Sequence, residues 1–247
     1  MKPFKPVART FGRHPGARVV LLGLGLLTAC GPSAGPRAQN EARFERLLRD
    51  ASHGRAKVIF FGDSLSDQWR HPGFGQTVWR SELEPLDAAN LGISGDRTSD
   101  LLDRIEQGRI EDLDPEGVVV LIGTNDVTAG SPPEAIVDAI ERIVAALRSR
   151  LPRARILVLG LLPRDARASP RRAAVTEVNR LLARLDDGAH VRFLDIGDRF
   201  VLPDGTIPRE VMPDGLHLSP AGYRIWAEAM RPALTEMLAR PAAGPPR

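Results

Sequence analysis

Three residue types that act together in nucleophilic catalysis occur here in two short polar segments. Ser64 follows the apolar run Val58–Phe61, and Asp214 precedes His217 by three residues in a turn that contains glycine. A serine hydroxyl becomes a nucleophile when a histidine takes its proton, and an acid on the second ring nitrogen fixes the histidine tautomer. The spacing therefore predicts a nucleophile at Ser64, a base at His217 and an orienting acid at Asp214.

Acyl transfer also requires hydrogen-bond donors for the negative charge that forms on the carbonyl oxygen. The candidate donors are the backbone N–H of Ser64, the backbone N–H of Gly95 and the side-chain amide of Asn125. Glycine at position 95 permits close backbone approach and unusual dihedrals. A well-placed donor is worth about 3–4 kcal/mol in the transition state, so this set predicts an oxyanion hole.

Each of these residues also has a purely structural interpretation. Ser64 could cap the helix that follows it, and Gly95 could serve only a turn. Asn125 could belong to a strand-to-loop turn, and His217 could be a surface histidine after the favoured turn pair Asp214-Gly215. Asp63 and Asp126 fit a structural role better than a catalytic one. The structural interpretations together require four coincidences in the right order, which favours the catalytic one.

Helical and strand patterns alternate along the chain from Glu41 onward. Predicted helices are 41–51, 76–83, 98–107, 133–150, 171–185 and 219–239, and predicted strands are 57–61, 88–91, 118–122, 155–161 and 191–195. Strands that alternate with helices indicate a parallel sheet covered on both faces. The predicted fold class is α/β, a three-layer α/β/α sandwich with a five-stranded parallel sheet in the flavodoxin-like order 2-1-3-4-5.

The candidate catalytic residues follow predicted strands or precede the last helix. The carboxyl ends of parallel strands meet at one edge of a sheet, where ligands bind in open α/β folds. We therefore expect the serine, glycine, asparagine and histidine segments to converge on one cleft.

These four segments resemble, in order, the sequence blocks of the SGNH (GDSL-type) hydrolase family. The matching segments are Gly-Asp-Ser-Leu at 62–65, the glycine block at 90–98, Gly-Thr-Asn-Asp at 123–126 and Asp-Gly-Leu-His at 214–217. The resemblance covers roughly residues 57–235. It implies the SGNH hydrolase fold and a carboxylic ester hydrolase, with Ser64, Gly95 and Asn125 at the oxyanion hole and Asp214 and His217 completing the triad.

Within that family the chain is most similar to the platelet-activating-factor acetylhydrolase β/γ-like branch. The similarity rests on segments 92–98 and 159–164 and on Val178-Asn179. That branch implies short acyl groups, acetyl especially. Its eukaryotic members are cytosolic and heteromeric, whereas this chain carries an export signal, and its third block has the general form Gly-Thr-Asn-Asp. Both differences widen the expected substrates from phospholipids to acetylated glycans.

The net charge of +3 does not point to nucleic acid. Five of the 34 basic residues and none of the 31 acidic ones lie in residues 1–29, so the rest of the chain has a net charge of −2. We expect no nucleic-acid partner. The sequence contains no clustered histidine and cysteine spacing and no glycine-rich phosphate loop, so we expect neither a metal nor another cofactor. A basic run, Arg164, Arg167, Arg171 and Arg172, is interpreted as a solvated face.

The first 29 residues have the pattern of a lipoprotein signal peptide. A basic region precedes the apolar run Val19–Leu27, which is too short to cross a bilayer as a permanent helix, and Leu27-Thr28-Ala29-Cys30 resembles a bacterial lipobox. Cys30 is the only cysteine, and lipidation with acyl chains such as palmitate would explain it. The prediction is export and anchoring in the bacterial envelope, on the periplasmic side of the outer membrane. The predicted segments are a signal at 1–29, a linker at 30–40, a hydrolase domain at 41–240 and a disordered tail at 241–247.

The leading hypothesis is therefore a serine esterase for short-chain, especially acetyl, esters. One alternative is a lysophospholipase or thioesterase that prefers longer acyl chains. Another is a non-catalytic envelope-binding lipoprotein on a dead hydrolase fold. Trp69, Trp79 and Phe74 could wall the acyl or sugar site or could equally belong to the core.

Overall fold

The computed structural model describes residues 35–108 and 110–239. The predicted signal peptide, Cys30 and the predicted tail lie outside the described residues. In the described part, no helix is both long enough and apolar enough to span a membrane. No cluster of histidine, cysteine and acidic side chains with metal-binding geometry occurs among these residues.

Five strands form one parallel sheet in the order β2-β1-β3-β4-β5. The strands are β1 (Val58–Gly62), β2 (Ala88–Asn90), β3 (Gly117–Leu121), β4 (Arg155–Leu159) and β5 (Val191–Leu194). The inner strands β1 and β3 are buried on both faces, as expected for apolar runs in a parallel sheet. The predicted fold class and strand order are confirmed.

Eight α-helices accompany the strands in the described part of the chain. They are α1 (Pro36–His53), α2 (Ser64–Asp67), α3 (Gln76–Glu82), α4 (Thr98–Gln107), α5 (Thr124–Thr128), α6 (Pro133–Arg150), α7 (Pro170–Leu182) and α8 (Pro220–Ala239). α4 and α6 have the predicted bounds. The apolar pattern gives no bounds for the short helices α2 and α5, because four or five residues carry no apolar period.

The core consists of two apolar clusters, one on each face of the sheet. Alternate strand residues point to opposite faces, so Ile59 and Val118 belong to one cluster and Val58 and Val119 to the other. The first cluster packs against α1, α4, α6 and α7, and the second against α3 and α8. This is the predicted three-layer arrangement.

The helix α1 begins earlier than the sequence predicts. Residues 36–40, predicted as linker, form its first turns, so the helix begins five residues before the predicted position 41. Proline fits the first turn of a helix, because its missing N–H has no intrahelical acceptor there. Arg37 also pairs with Asp103 of α4 at 3.1 Å, so this turn contacts the domain.

Candidate active site

The nucleophile candidate stands at the junction of β1 and α2. Asp63, not Ser64, is the N-cap of α2, and its Oδ1 accepts a hydrogen bond from the backbone N–H of Leu65 at 3.0 Å. The interpretation of Ser64 as a helix cap is therefore wrong. Ser64 is the first helical residue and is 8% exposed. The Tyr223 hydroxyl donates to the Leu65 carbonyl oxygen at 2.7 Å, which holds α2 against α8.

A continuous chain of hydrogen bonds joins the serine, the histidine and the aspartate. Ser64 Oγ lies 3.1 Å from His217 Nε2, and His217 Nδ1 lies 2.7 Å from Asp214 Oδ2. Ser64 and His217 are 153 positions apart, so the fold creates this contact. In this geometry Nδ1 carries the proton towards the carboxylate and leaves Nε2 free to accept the serine proton.

The turn from Asp214 to His217 organises the acid and the base together. Asp214 Oδ1 accepts the backbone N–H groups of Leu216 at 2.9 Å and His217 at 2.7 Å. Burial would raise the pKa of Asp214, but the bonds from the His217 ring and from these two backbone groups outweigh it and lower the pKa. Asp214 is therefore ionised at neutral pH, as an orienting acid must be.

The predicted oxyanion donors lie in the segments that follow β1, β2 and β3, which are neighbouring strands of the sheet. Asn125 is the second residue of α5, and its Nδ2 donates to the carbonyl oxygen of Asp96 at 2.8 Å. This bond uses one of two amide hydrogens and fixes which way the amide faces. Among the described residues, the backbone N–H groups of Ser64 and Gly95 have no acceptor. Gly95 has a φ of +88°, a conformation that favours glycine.

Asp63 and Asp126 accept hydrogen bonds from backbone N–H groups, as the structural interpretation expects, and a third aspartate near the site, Asp96, pairs with an arginine. Asp126 accepts the backbone N–H of Thr98 at 2.9 Å and its hydroxyl at 3.0 Å, which fastens the start of α4 to α5. The carboxylate of Asp96 receives two hydrogen bonds from the buried Arg104, at 2.8 and 3.1 Å. Asp63 is fully buried, and burial raises its pKa to about 7.

Two predictions around the site are decided by burial. Trp69 and Trp79 are buried in the cluster that faces α3 and α8, so they belong to the core and do not wall the site, while Phe74 is half-buried against that cluster. Arg164 is 4% exposed and does not belong to a solvated basic face. Its Nη1 donates to the Thr124 carbonyl oxygen at 3.0 Å, directly before Asn125. The sequence does not predict this buried, bridging role of Arg164, because one buried arginine in a basic run has no distinctive pattern.

Serine ester hydrolases with an α/β/α fold have this arrangement, in which hydrogen bonds join a serine, a histidine and an aspartate at the carboxyl edge of a parallel sheet. The model of the GDSL-like lipase/acylhydrolase family matches residues 60–225. The chain belongs to that family and is a carboxylic ester hydrolase.

Curated relatives share this family. The chain is 39% identical over 196 residues to the platelet-activating factor acetylhydrolase IB subunit alpha1 of Homo sapiens, covering 79% of this chain and 82% of the relative. It is 34% identical over 212 residues to the subunit alpha2 of Rattus norvegicus, covering 84% and 90%. The resemblance to the SGNH (GDSL-type) hydrolases is thereby confirmed.

Solved structures of low sequence identity share the fold. A GDSL-like lipase from Bacteroides thetaiotaomicron aligns with a TM-score of 0.61 at 19% identity, over 79% of this chain and 98% of that chain. A catalytic mutant of an acetylxylan esterase from Geobacillus stearothermophilus aligns with a TM-score of 0.56 at 22% identity, over 74% and 94%.

Proposed function

We propose that the protein hydrolyses short-chain carboxylic esters, acetyl esters in particular, through an acyl-enzyme on Ser64. The observation that carries this proposal is the hydrogen-bonded chain from Ser64 through His217 to Asp214. His217 Nε2 takes the serine proton as Oγ attacks the ester carbonyl, and Asp214 stabilises the imidazolium. The developing oxyanion accepts hydrogen bonds from the N–H groups of Ser64 and Gly95 and from the amide of Asn125.

The second half of the cycle uses the same groups. The imidazolium of His217 gives its proton to the departing alcohol, which leaves the acyl group on Ser64. A water molecule then attacks the acyl carbonyl while His217 takes a proton from it. Collapse of the second tetrahedral intermediate releases the carboxylic acid and returns the proton to Ser64 Oγ.

Short acyl groups are favoured over long ones by the distribution of apolar side chains. A long chain gains about 0.8 kcal/mol for each buried CH₂ and needs an open apolar surface to do so. In the described part of the chain, Leu202 at 48% exposure is the one large apolar side chain that is largely open to solvent. Leu65 and Ile93, close to the candidate site in sequence, are instead packed in the core. The acetylhydrolase relatives at 39% identity support the same choice.

The substrate proposed here is an acetylated glycan or an acetylated lipid. A shared fold with an acetylxylan esterase supports the former, and the name of the curated relatives supports the latter. The test measures acetate release by the full chain from acetylated xylo-oligosaccharides and from a phospholipid with a 2-acetyl group, beside p-nitrophenyl esters from acetate to palmitate. We expect a rate that falls with chain length. A flat or rising profile would support the lysophospholipase or thioesterase alternative instead.

The non-catalytic alternative is tested separately. A fluorophosphonate probe forms a covalent bond with an activated serine, so we expect it to label the wild-type chain and not Ser64→Ala. An unlabelled wild-type chain that also fails to hydrolyse p-nitrophenyl acetate would support the envelope-binding lipoprotein.

We further propose that the mature protein is exported and anchored through lipid on Cys30, in the bacterial outer membrane on its periplasmic side. The support is the order of basic region, short apolar run and lipobox-like segment in residues 1–30. Growth with an alkynyl palmitate should label the wild-type chain and not Cys30→Ser. Label on both, or on neither, contradicts the anchor.

A further inference from the structure

The end of the nucleophile helix carries a buried carboxylate that the proposed mechanism does not use. Asp67 is the last residue of α2, three positions after Ser64, and its side chain is 1% exposed. Its Oδ2 accepts hydrogen bonds from Arg43 Nη1 at 2.9 Å and from Ser94 Oγ at 2.5 Å, and its Oδ1 accepts one from Arg70. Burial would raise the pKa of Asp67, but the bonds from Ser94, Arg43 and Arg70 outweigh it and lower the pKa.

The two arginines connect this carboxylate to other parts of the fold. Arg70 donates to the carbonyl oxygen of Asn90 at 2.5 Å and to that of Gly92 at 3.0 Å, so it fastens the end of β2 to α2. Arg43 comes from α1, which lies outside the residues that the family model matches. The contact between α2 and this loop is tight, because a Cβ on Gly92 would lie 2.6 Å from the backbone nitrogen of Asp67.

The third group on this carboxylate, Ser94, directly precedes a proposed oxyanion donor. Ser94 and Gly95 share one peptide unit, and the N–H of that unit is the Gly95 donor. A Cβ built on Gly95 would meet no atom within 4 Å, so side-chain packing does not hold this residue from that side. The bond from the Ser94 hydroxyl to Asp67 attaches the unit to the helix that carries the nucleophile.

We propose that Ser94 and Asp67 are positioning residues that hold the Gly95 N–H at the correct place relative to Ser64. The proposal rests on the proposed esterase function. Neither side chain touches the reacting atoms; both act through the orientation of one peptide group. The residue after Gly95 is held independently, because the Asp96 carboxylate is bound by Arg104 and the Asp96 carbonyl oxygen by Asn125.

The proposal has a specific kinetic signature. The oxyanion is absent from the bound substrate and forms only as the ester is attacked, so a misplaced donor lowers kcat and leaves KM unchanged. Removal of a whole oxyanion donor costs about 10²–10³-fold in kcat. Ser94→Ala loosens the donor without removing it, so we expect a loss of roughly 10-fold in kcat, which is smaller than that range.

The experiment compares Ser94→Ala, Ser94→Thr and the control Ser99→Ala in the full chain. Ser94 and Ser99 are both exposed residues, so none of these substitutions disturbs the core. The measurements are kcat and KM with p-nitrophenyl acetate, the melting temperature, and the inhibition constant of an alkyl boronic acid, which forms a tetrahedral adduct with serine. Ser94→Ala should lower kcat and weaken boronic acid binding in parallel, Ser94→Thr should restore both, and Ser99→Ala should match the wild type.

Other outcomes are equally definite. A kcat for Ser94→Ala equal to that of Ser99→Ala overturns the proposal. A loss that follows the melting temperature, or that Ser94→Thr does not restore, shows a merely structural role and overturns it too. A wild-type chain that hydrolyses no ester contradicts the proposed function instead, and boronic acid affinity still measures the positioning because it needs no turnover.

Asp67→Ala provides the matching test from the other side of the bond, because alanine offers the Ser94 hydroxyl no side-chain acceptor at position 67. If Ser94 acts through Asp67, adding Ser94→Ala to Asp67→Ala lowers kcat no further, because the interaction is already broken. Independent, multiplicative losses in the double variant would contradict the assigned partnership.

Discussion

The backbone N–H of Asp165 donates to the carbonyl oxygen of Gly215 at 2.6 Å, inside the turn that carries Asp214 and His217. The preceding residue, Arg164, reaches in the other direction and donates to the Thr124 carbonyl oxygen and to the Thr128 hydroxyl of α5. One loop after β4 therefore contacts both the acid–base turn and the helix that carries Asn125. The relative position of the base and an oxyanion donor depends on this loop.

Arg164→Met should disturb that arrangement. The variant removes the hydrogen bonds that the buried guanidinium donates to the Thr124 carbonyl oxygen and to the Thr128 hydroxyl, and a hydrogen bond to a charged group contributes about 1.5–3 kcal/mol. We expect a comparable loss in the free energy of unfolding, measured by urea denaturation, together with a lower kcat. The control is Arg167→Met, because Arg167 is exposed in the same loop. Equal stability and activity in the two variants would contradict the bridging role.

Asp214→Asn tests the orienting acid with little change in shape. Asparagine retains a side-chain oxygen for the N–H groups of Leu216 and His217, so the turn should keep its conformation and the melting temperature should be unchanged. Its NH₂ cannot accept the Nδ1 proton, which favours the wrong tautomer of His217. We expect kcat to fall by about 10³–10⁴-fold with p-nitrophenyl acetate. As a control, the exposed Asp204→Asn should leave kcat unchanged. A loss of less than 10-fold at Asp214 would argue against its assigned role.

How far the sequence predicts this molecule depends on whether a feature is local. The strands and longer helices follow from apolar periods, and the sheet order follows from their alternation. Ser64, Asp214 and His217 could be proposed from residue types and short spacings, and the fold does bring them together. Arg164 and Asp67 could not, because their partners lie 40 and 27 positions away and nothing in either segment specifies burial. Charged residues in such runs are normally solvated, which is why the prediction for Arg164 is wrong.

Asn125→Asp tests the side-chain donor of the oxyanion hole. Aspartate has nearly the same size but offers no N–H, and it places a negative charge beside the Asp96 carbonyl oxygen and the developing oxyanion. We expect kcat to fall by about 10²–10³-fold with KM nearly unchanged. Steady-state kinetics with p-nitrophenyl acetate measures this. A change confined to KM would indicate that Asn125 binds the substrate and does not stabilise the transition state.

The buried carboxyl beside the nucleophile predicts how stability depends on pH. Burial raises the pKa of Asp63 from 3.8 to about 7, against the opposing bond from the Leu65 N–H, and Asp63 Oδ2 has no hydrogen-bond partner within residues 35–108 and 110–239. A carboxyl whose pKa is higher in the folded state binds its proton more tightly there than in the unfolded chain. Its contribution to stability is therefore full below pH 3.8 and is lost as the pH rises through about 7.

Asp63→Asn should remove this pH dependence. Asparagine keeps an oxygen for the Leu65 N–H and cannot ionise, so its free energy of unfolding should fall less between pH 5 and pH 8 than that of the wild type. The shift from 3.8 to about 7 corresponds to roughly 4 kcal/mol as an upper limit, at about 1.4 kcal/mol for each pKa unit. Urea denaturation at several pH values measures the difference, and the exposed Asp204→Asn serves as the control. Parallel pH profiles for Asp63→Asn and the wild type would show that Asp63 does not titrate in this range.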